Sequence, residues 1–237
     1  MIPRAIFFDM DDTLLDTSGG VEAAWQLTAE RFAPGLGVEA DALNKAIRAQ
    51  MAAFWKDEAA VEPWRTRLHE ARRHNVELAL QAQNLDTNHS QAIADHYWEA
   101  QSSRFQLFAD SVETLDRLRA AGFLVGLITN GPAEMQRYKI NRFDLERHFD
   151  VIVIEGEFGH GKPHPEVFRH AMASVGSKPE ESWHIGDNLY ADIGGCQAAG
   201  MHGVWIHRDR MELKEDAGHI PDRVLAHLPE LLTALAI

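Results

Sequence analysis

Polar and acidic residues follow short apolar segments at three widely separated places in this chain of 237 residues. In chain order, the residues concerned are Asp9, Asp11, Thr129, Asn130 and Asp187. Each apolar segment has the length and composition of a buried β-strand. In an open α/β sheet the carboxyl ends of the parallel strands form one ligand crevice, so these distant residues are expected to converge there. The pattern therefore predicts an enzyme built on a parallel sheet.

The order of predicted elements after residue 106 supports the same fold. The strand-like segments there cover residues 123–129, 151–154, 183–186 and 203–207. They alternate with helical segments, and such a βα order uses right-handed crossovers that give a parallel sheet with helices on both faces. The predicted fold class is α/β, with a core formed by residues 1–18 and 106–237.

The stretch between the first strand and the rest of the core, residues 19–105, has a different pattern. Its apolar residues recur at helical spacing, which predicts roughly four helices. Gly35 and Gly37 are expected to separate the first two helices, and Pro63 is expected to begin the third. The stretch is therefore predicted to be an all-helical domain inserted into the core.

The composition restricts the expected partners and location. The chain carries a formal net charge of -13 at pH 7 and a single cysteine, Cys196. Such an acidic protein is not expected to bind nucleic acid or an anionic membrane surface, since either would favour a basic face. One cysteine forms no intrachain disulfide and suits a reducing compartment. The first residues lack the form of a signal peptide and no segment has the length of a membrane span, so a cytoplasmic location is expected.

Asp9 and Asp11 have the spacing that two cooperating carboxylates need. Side chains alternate by two along an extended chain, so both can point into one crevice. One carboxylate can then act as a nucleophile while the other exchanges a proton with the leaving group. Aspartates are also common in turns and at helix caps, so a purely structural role is the alternative.

The run Thr129-Asn130-Gly131 precedes a helix that is predicted to begin near Pro132. Free backbone N–H groups at such a point suit the binding of an oxyanion or a phosphate. The alternative is a simple helix cap followed by a turn glycine.

Lys162 lies in a loop rich in glycine and proline, residues 159–165. A stiff loop of this kind favours a fixed positive charge that neutralises a phosphate oxygen and the carboxylate nucleophile. Exposed lysines are nevertheless the general rule, and a solvated surface lysine is the alternative.

Asp187 and Asp192 add carboxylates after another predicted strand. Hard divalent cations such as Mg²⁺ take oxygen ligands, so Asp187 arriving beside Asp9 and Asp11 predicts a metal site. Capping of the following helix is the alternative for Asp187. Asp192 is predicted to orient Lys162 or a metal-bound water rather than to bind the ion.

Together these motifs resemble those of the haloacid dehalogenase superfamily of aspartate-nucleophile phosphatases. In motif order, the matching residues are Asp9-x-Asp11-x-Thr13-Leu14, Thr129, Lys162, and Gly186-Asp187 with Asp192. The resemblance covers nearly the whole chain. It implies a Rossmann-like core, with residues 19–105 as the helical cap domain that members insert after the first motif.

The resemblance also implies a mechanism. Asp9 would attack phosphorus to form an aspartyl-phosphate, and Asp11 would protonate the leaving oxygen and later activate water. Lys162 would balance charge. Because a metal and a lysine offset the negative charge around the phosphoryl group, catalysis would consist of positioning and electrostatics.

The same resemblance implies the binding groups. The phosphoryl group would be bound by Met10, Thr129, Asn130 and Lys162. One Mg²⁺ would be held by Asp9, the backbone carbonyl of Asp11, and Asp187.

A phosphatase that hydrolyses a small phosphomonoester is thus predicted, with three alternatives. A 2-haloacid dehalogenase needs neither a metal nor a second acid at the leaving group, so Asp11 and Asp187 argue against it. Phosphomutases of the superfamily usually carry an apolar residue where Thr13 stands. A binding module with a relic site is disfavoured by the intact carboxylates.

The segments around Asp9, Thr129 and Lys162 look closest to the branch of pyrimidine nucleotidases and acylneuraminate-9-phosphatases, with phosphoglycolate phosphatases as near neighbours. The resemblance implies a small phosphorylated metabolite as substrate: a sugar phosphate, a nucleoside monophosphate or phosphoglycolate. A monomer or a homodimer is expected.

Overall fold

The computed structural model describes residues 2–57, 61–208 and 218–237, apart from the side chain of Glu62. The chain forms two compact units. The first contains Met1–Asp16 and Leu107–Ile237, and the second contains Thr17–Gln106. The candidate functional residues belong to the first unit.

Eight strands occur in the described ranges. In chain order they are β1 (Ala5–Phe8), β2 (Leu15–Asp16), β3 (Gln106–Leu107), β4 (Leu124–Thr129), β5 (Val151–Ile154), β6 (Ser182–Gly186), β7 (His202–Ile206) and β8 (Arg223–Leu225). Six of them form one sheet in the order β5-β4-β1-β6-β7-β8, and β2 pairs with β3. Adjacent strands of the six-stranded sheet are all parallel, which confirms the predicted α/β architecture.

The central strand β1 is apolar along its whole length. Its four residues are completely buried, and Phe8 pairs with Leu127 of β4 on one side and with Ile185 of β6 on the other. Because these three strands run in the same direction, their carboxyl ends lie at one edge of the sheet. Asp9 therefore emerges between the ends of β4 and β6.

Gly126 allows β4 to pack closely beside β1. A Cβ atom at position 126 would lie 2.5 Å from the Phe7 ring and 2.9 Å from the Val151 side chain. Both distances are shorter than van der Waals contact. A residue without a side chain is therefore needed where the Phe7 ring crosses the strand.

The second unit contains four helices of 13 to 17 residues in its described part. They are α1 (Val21–Leu36), α2 (Ala40–Lys56), α3 (Leu68–Ala82) and α4 (Ser90–Ser102). Trp25 of α1 stacks on Tyr97 of α4 with ring centroids 3.7 Å apart. These two rings join a core of buried apolar side chains to which all four helices contribute.

Two predicted helix boundaries in this unit are wrong. Gly35 lies inside α1, because glycine weakens a helix without ending it; the left-handed residue after the helix is Gly37, with φ 69°. Pro63 lies in the 3₁₀ turn Glu62–Trp64, and α3 begins only at Leu68. The fixed φ of proline suits a 3₁₀ turn as well as the first turn of an α-helix.

In the described part of the first unit, six α-helices cover the sheet. They are α5 (Ser111–Ala120), α6 (Ala133–Arg142), α7 (Glu155–Phe158), α8 (Pro165–Val175), α9 (Gly195–Ala198) and α10 (Pro229–Leu235), with a π-helical segment at Leu189–Gly194. Phe7 of β1 packs in one cluster with Phe168 of α8. Ile6 and Phe8 point to the opposite face because strand side chains alternate. Among the described residues, no helix has both the length and the apolar character that crossing a membrane requires.

Candidate active site

Three carboxylates and one ammonium group meet at the carboxyl edge of the sheet. One oxygen each from Asp9, Asp187 and Asp192 lies within 4.8 Å of the others. The ammonium nitrogen of Lys162 contacts Asp9 and lies 2.7 Å from an oxygen of Asp192. The structure thus brings together four of the residues that the sequence motifs single out.

Asp9 follows β1 directly, and its backbone N–H donates to the Ile185 carbonyl at 2.8 Å. Its side chain is buried. Burial, the largest cause, and the charges of Asp192 and Asp11 raise the pKa of the Asp9 carboxyl to about 7, although Lys162 opposes this rise. A further cation beside Asp9 would lower its pKa and favour the ionised carboxylate.

Lys162 is held through its backbone as well as its side chain. The Asn130 amide donates to the Lys162 carbonyl and accepts from the Lys162 N–H, both at 2.8 Å. Burial disfavours the charged ammonium, but the charges of Asp192 and Asp9 outweigh it and raise the pKa of Lys162. The Asn130 side chain therefore secures the Lys162 loop, and the Asn130 backbone carbonyl accepts from the Gln136 amide at 2.6 Å.

Both oxygens of Asp192 are engaged. One lies 2.7 Å from Lys162 and 2.9 Å from Nε2 of His184, and the other accepts the Asn188 N–H at 3.0 Å. Burial alone would raise the pKa of Asp192, but Lys162 and His184 outweigh burial and hold it well below its usual range. Asp192 is therefore an ionised partner of Lys162.

Asp187 is the most exposed of the three carboxylates in the cluster. Burial, followed by the charges of Asp9, Asp192 and Asp12, raises the pKa of Asp187 well above its usual value. Its backbone carbonyl accepts the indole N–H of Trp205 at 2.8 Å. Since Asp192 is already engaged, Asp9 and Asp187 form an all-oxygen, negatively charged donor set, which fits a hard divalent cation.

Asp11 contacts helix α6. The Lys139 ammonium lies 2.8 Å and 2.7 Å from its two oxygens, and the Gln136 amide nitrogen lies 3.0 Å from one of them. The same nitrogen donates to the Thr129 hydroxyl at 2.6 Å. These contacts connect the first and second sequence motifs through α6.

Two other motif segments are fixed mainly by backbone contacts. The Gly131 N–H donates to the buried carboxylate of Glu155 at 2.9 Å. The Met10 side chain is completely buried, and its carbonyl accepts the N–H groups of Leu14 and Leu15 at 3.0 Å and 2.9 Å. Any contact of Met10 with a ligand would therefore be made by its backbone.

Four residues that contact the motif residues were not predicted from the sequence: Gln136, Lys139, Glu155 and His184. A signal for the first two exists on α6, where Met135, Gln136, Lys139 and Ile140 share one face and all four are buried. Polar residues on the buried stripe of an amphipathic helix indicate a partner inside the fold. No comparable periodic signal marks Glu155, which follows a short strand.

Known proteins are similar to this chain over most of its length. A family model described as haloacid dehalogenase-like hydrolase matches residues 3–200. A glyceraldehyde 3-phosphate phosphatase from Pyrococcus furiosus is 31% identical over 98% of this chain and 92% of its own. An N-acylneuraminate-9-phosphatase from Mus musculus is 30% identical over 86% of this chain and 83% of its own.

A solved structure described as a 2-haloacid dehalogenase from Pseudomonas syringae pv. Tomato is 30% identical to this chain. It covers 100% of this chain and 99% of its own, with a TM-score of 0.67. With the parallel sheet and the carboxylate cluster at its edge, the chain belongs to the haloacid dehalogenase-like hydrolases. The family predicted from the motifs is thereby confirmed.

Proposed function

We propose that this protein is a magnesium-dependent phosphatase that hydrolyses a small phosphomonoester through an aspartyl-phosphate intermediate. The observation that carries the proposal is the buried cluster in which Lys162 joins Asp9 to Asp192 beside Asp187. The two relatives described as phosphatases support the same reaction class, since they match the chain over most of its length.

In the first step, a carboxylate oxygen of Asp9 attacks phosphorus and the bond between phosphorus and the ester oxygen breaks. Asp11 gives its proton to the leaving oxygen, so an alcohol departs. In the second step, Asp11 takes a proton from water, which attacks phosphorus and releases phosphate. Asp9 is then regenerated as a carboxylate.

The remaining residues would bind and orient the phosphoryl group. Lys162 and the Thr129 hydroxyl would contact its oxygens, and Met10 and Asn130 would contribute backbone N–H groups. Asp192 would keep Lys162 charged and in place. Contacts within the protein already hold the Lys162 ammonium and the Thr129 hydroxyl, and such preorganisation is the condition for electrostatic stabilisation of the transition state.

Asp9, Asp187 and the backbone carbonyl of Asp11 would hold the Mg²⁺. When bound, the ion would offset the negative charge of the phosphoryl group. The raised pKa values of Asp9 and Asp187 support this assignment, because burial and, after it, the neighbouring negative charges disfavour an uncompensated carboxylate there, and a cation would relieve both.

The test is phosphate release from a panel of phosphomonoesters, with Mg²⁺ present or removed by chelation. We expect release that needs the metal and is highest on one class of small ester. The panel contains glyceraldehyde 3-phosphate, N-acylneuraminate 9-phosphate, a nucleoside monophosphate and phosphoglycolate. Hydrolysis of phosphopeptides alone would contradict the substrate class, and halide release from a 2-haloacid without any phosphate release would instead establish a dehalogenase.

Mg²⁺ is expected to raise the melting temperature more at high pH than at low pH. The folded pKa of Asp9, about 7, is above the value of an unfolded aspartate, so in the absence of metal this group lowers stability as the pH rises towards 7. Metal binds the deprotonated carboxylates and cancels that loss. At a Mg²⁺ concentration about 100-fold above Kd we expect a rise of about 5–10 °C at about pH 8, and a smaller rise at about pH 5.

This melting experiment is measured by calorimetry, with NaCl of matched ionic strength as the control for screening. The Asp187→Asn variant should lose most of the Mg²⁺ effect. An equal rise in the variant, or an equal rise at both pH values, would rule out Asp9 and Asp187 as the ligands.

The Gly161→Ala substitution is expected to lower kcat/KM about 10²-fold by moving the Lys162 loop. A Cβ atom at position 161 would overlap the Glu155 carboxyl group and lie 2.8 Å from the Asn130 side-chain oxygen. Steady-state kinetics on the best ester of the panel measures the effect. Gly35→Ala is the control, since nothing lies within 4 Å of a Cβ there; equal activities of both variants would show that the loop tolerates the shift.

The location proposed for the protein is the cytoplasm. The single cysteine, Cys196, is free and buried, as a thiol in a reducing compartment can remain. Cell fractionation with an antibody against the protein tests this assignment, and recovery in a secreted or membrane fraction would contradict it.

A further inference from the structure

Helix α6 presents two buried polar side chains to the loop that follows β1. Gln136 and Lys139 are one turn apart and are 2% and 6% exposed. Together they contact both oxygens of Asp11, at distances of 2.7 to 3.0 Å. Asp11 is thus held from the side by α6.

Packing alone does not explain a lysine at position 139. Its neighbours on the same face of α6, Met135 and Ile140, are buried apolar residues, and burying an ammonium group is costly unless it is paired. The Asp11 side chain, which is 31% exposed, has room to change its rotamer if nothing holds it. The ion pair with Lys139 therefore restricts the side chain whose orientation matters most for proton transfer.

We propose that Lys139 is a positioning residue for Asp11. It fixes the carboxyl group in the orientation from which Asp11 gives its proton to the leaving oxygen, and it then pairs with the carboxylate that this transfer leaves. Gln136 lies between this carboxyl group and the phosphoryl site: its amide nitrogen is 2.6 Å from both the Thr129 hydroxyl and the Asn130 carbonyl and 3.0 Å from Asp11, so its two N–H groups are shared among three acceptors. A Thr129 hydroxyl that accepts from this amide keeps its own proton for a phosphoryl oxygen. This inference rests on the proposed phosphatase function, in which Asp11 is the general acid.

The test compares two esters that differ in their need for a general acid. An alkyl phosphate needs a proton at its leaving oxygen, whereas p-nitrophenyl phosphate releases a stable nitrophenolate without one. In the Lys139→Met variant we expect kcat/KM for the alkyl ester to fall about 10²-fold, with little change for p-nitrophenyl phosphate. The ratio kcat/KM is used because it reports transfer of the phosphoryl group to Asp9, before water is involved.

Two further variants show whether Lys139 acts through Asp11. In an Asp11→Asn background, the Lys139→Met change should have no additional effect on the alkyl ester, since the group that it positions is already absent. Arg142→Met, which removes an exposed cation from the same helix, is the matched control and should leave both esters unaffected. Lys139→Leu, which likewise removes the donor, replaces Lys139→Met if the methionine variant does not fold by circular dichroism.

An equal loss on both esters would show that Lys139 is only structural, and no loss on either would show that Asp11 needs no positioning. Both results overturn the inference. A failure of the proposed function is distinguishable, because the unmodified protein would then release phosphate from neither ester.

Discussion

The Asp9→Asn variant is expected to lose at least about 10³-fold in kcat on any phosphomonoester, while its melting temperature in the absence of metal rises at about pH 8. The loss follows because an amide cannot form the aspartyl-phosphate. The rise follows because the pKa of Asp9 is about 7, so the ionised carboxylate is unfavourable in the folded protein, and asparagine carries no charge. Phosphate release and calorimetry at the same pH measure the two effects.

The control for this experiment is Asp12→Asn, three residues along the same loop. Asp12 has a positive φ of 59°, a conformation that asparagine adopts readily, so the backbone should be unaffected. This variant is expected to retain activity. If Asp9→Asn keeps even a tenth of the activity of the unmodified protein, Asp9 is not the nucleophile.

The Lys162→Met variant is expected to be inactive and to lose about 3–5 kcal/mol in the free energy of unfolding near neutral pH. Removing the ammonium leaves the carboxylates of Asp9 and Asp192 buried together without their cation. Urea unfolding measures the loss. Lys178→Met, at an exposed position, is the control and should change stability little.

The stability that the Lys162→Met variant loses should depend on pH in a defined direction. The pKa of Asp192 is held below that of an unfolded aspartate, so its pairing stabilises the protein above the unfolded value and is lost as the pH falls. The pKa of Lys162 is raised, so its contribution is lost only at strongly alkaline pH. The difference between the variant and the unmodified protein should therefore persist down to about pH 4 and shrink as the pH falls further.

A second substitution separates charge from packing. In Lys162→Met/Asp192→Asn, one of the two uncompensated carboxylates is gone, so stability should recover while activity does not. If stability does not recover, Lys162 contributes through its packed methylene groups and the charge argument is wrong.

The sheet and the convergence of the motifs could be predicted because both depend on local pattern. Apolar runs such as β1 indicate buried strands, and a βα order makes the sheet parallel, so Asp9, Thr129 and Asp187 were expected near its carboxyl edge. Strand β8 was not predicted, since it has three residues of which only Leu225 is buried. The pattern after β6 predicts one helix over residues 190–199, and the structure begins it with a π-helical segment, a distinction that apolar spacing does not carry.

The contacts around the motifs could not be predicted in the same way. Whether Lys139 pairs with Asp11 depends on how α6 packs beside the loop after β1, and 128 positions separate the two residues. The hydrogen bond from Gly131 to Glu155 depends likewise on the turn after β4. Periodicity predicts which face of an element is buried, but not which polar group of another element it meets.

The hydrogen bond from the Trp205 indole to the Asp187 carbonyl places a fluorescent side chain beside the carboxylate cluster. The indole is buried and stacks on the His207 ring, with ring centroids 4.6 Å apart. A cation bound at the cluster would lie next to Asp187. The emission wavelength of an indole depends on the electric field across its ring. Trp205, one of six tryptophans in the chain, should therefore contribute a part of the intrinsic fluorescence that responds to charge at the cluster without a dye or turnover of substrate.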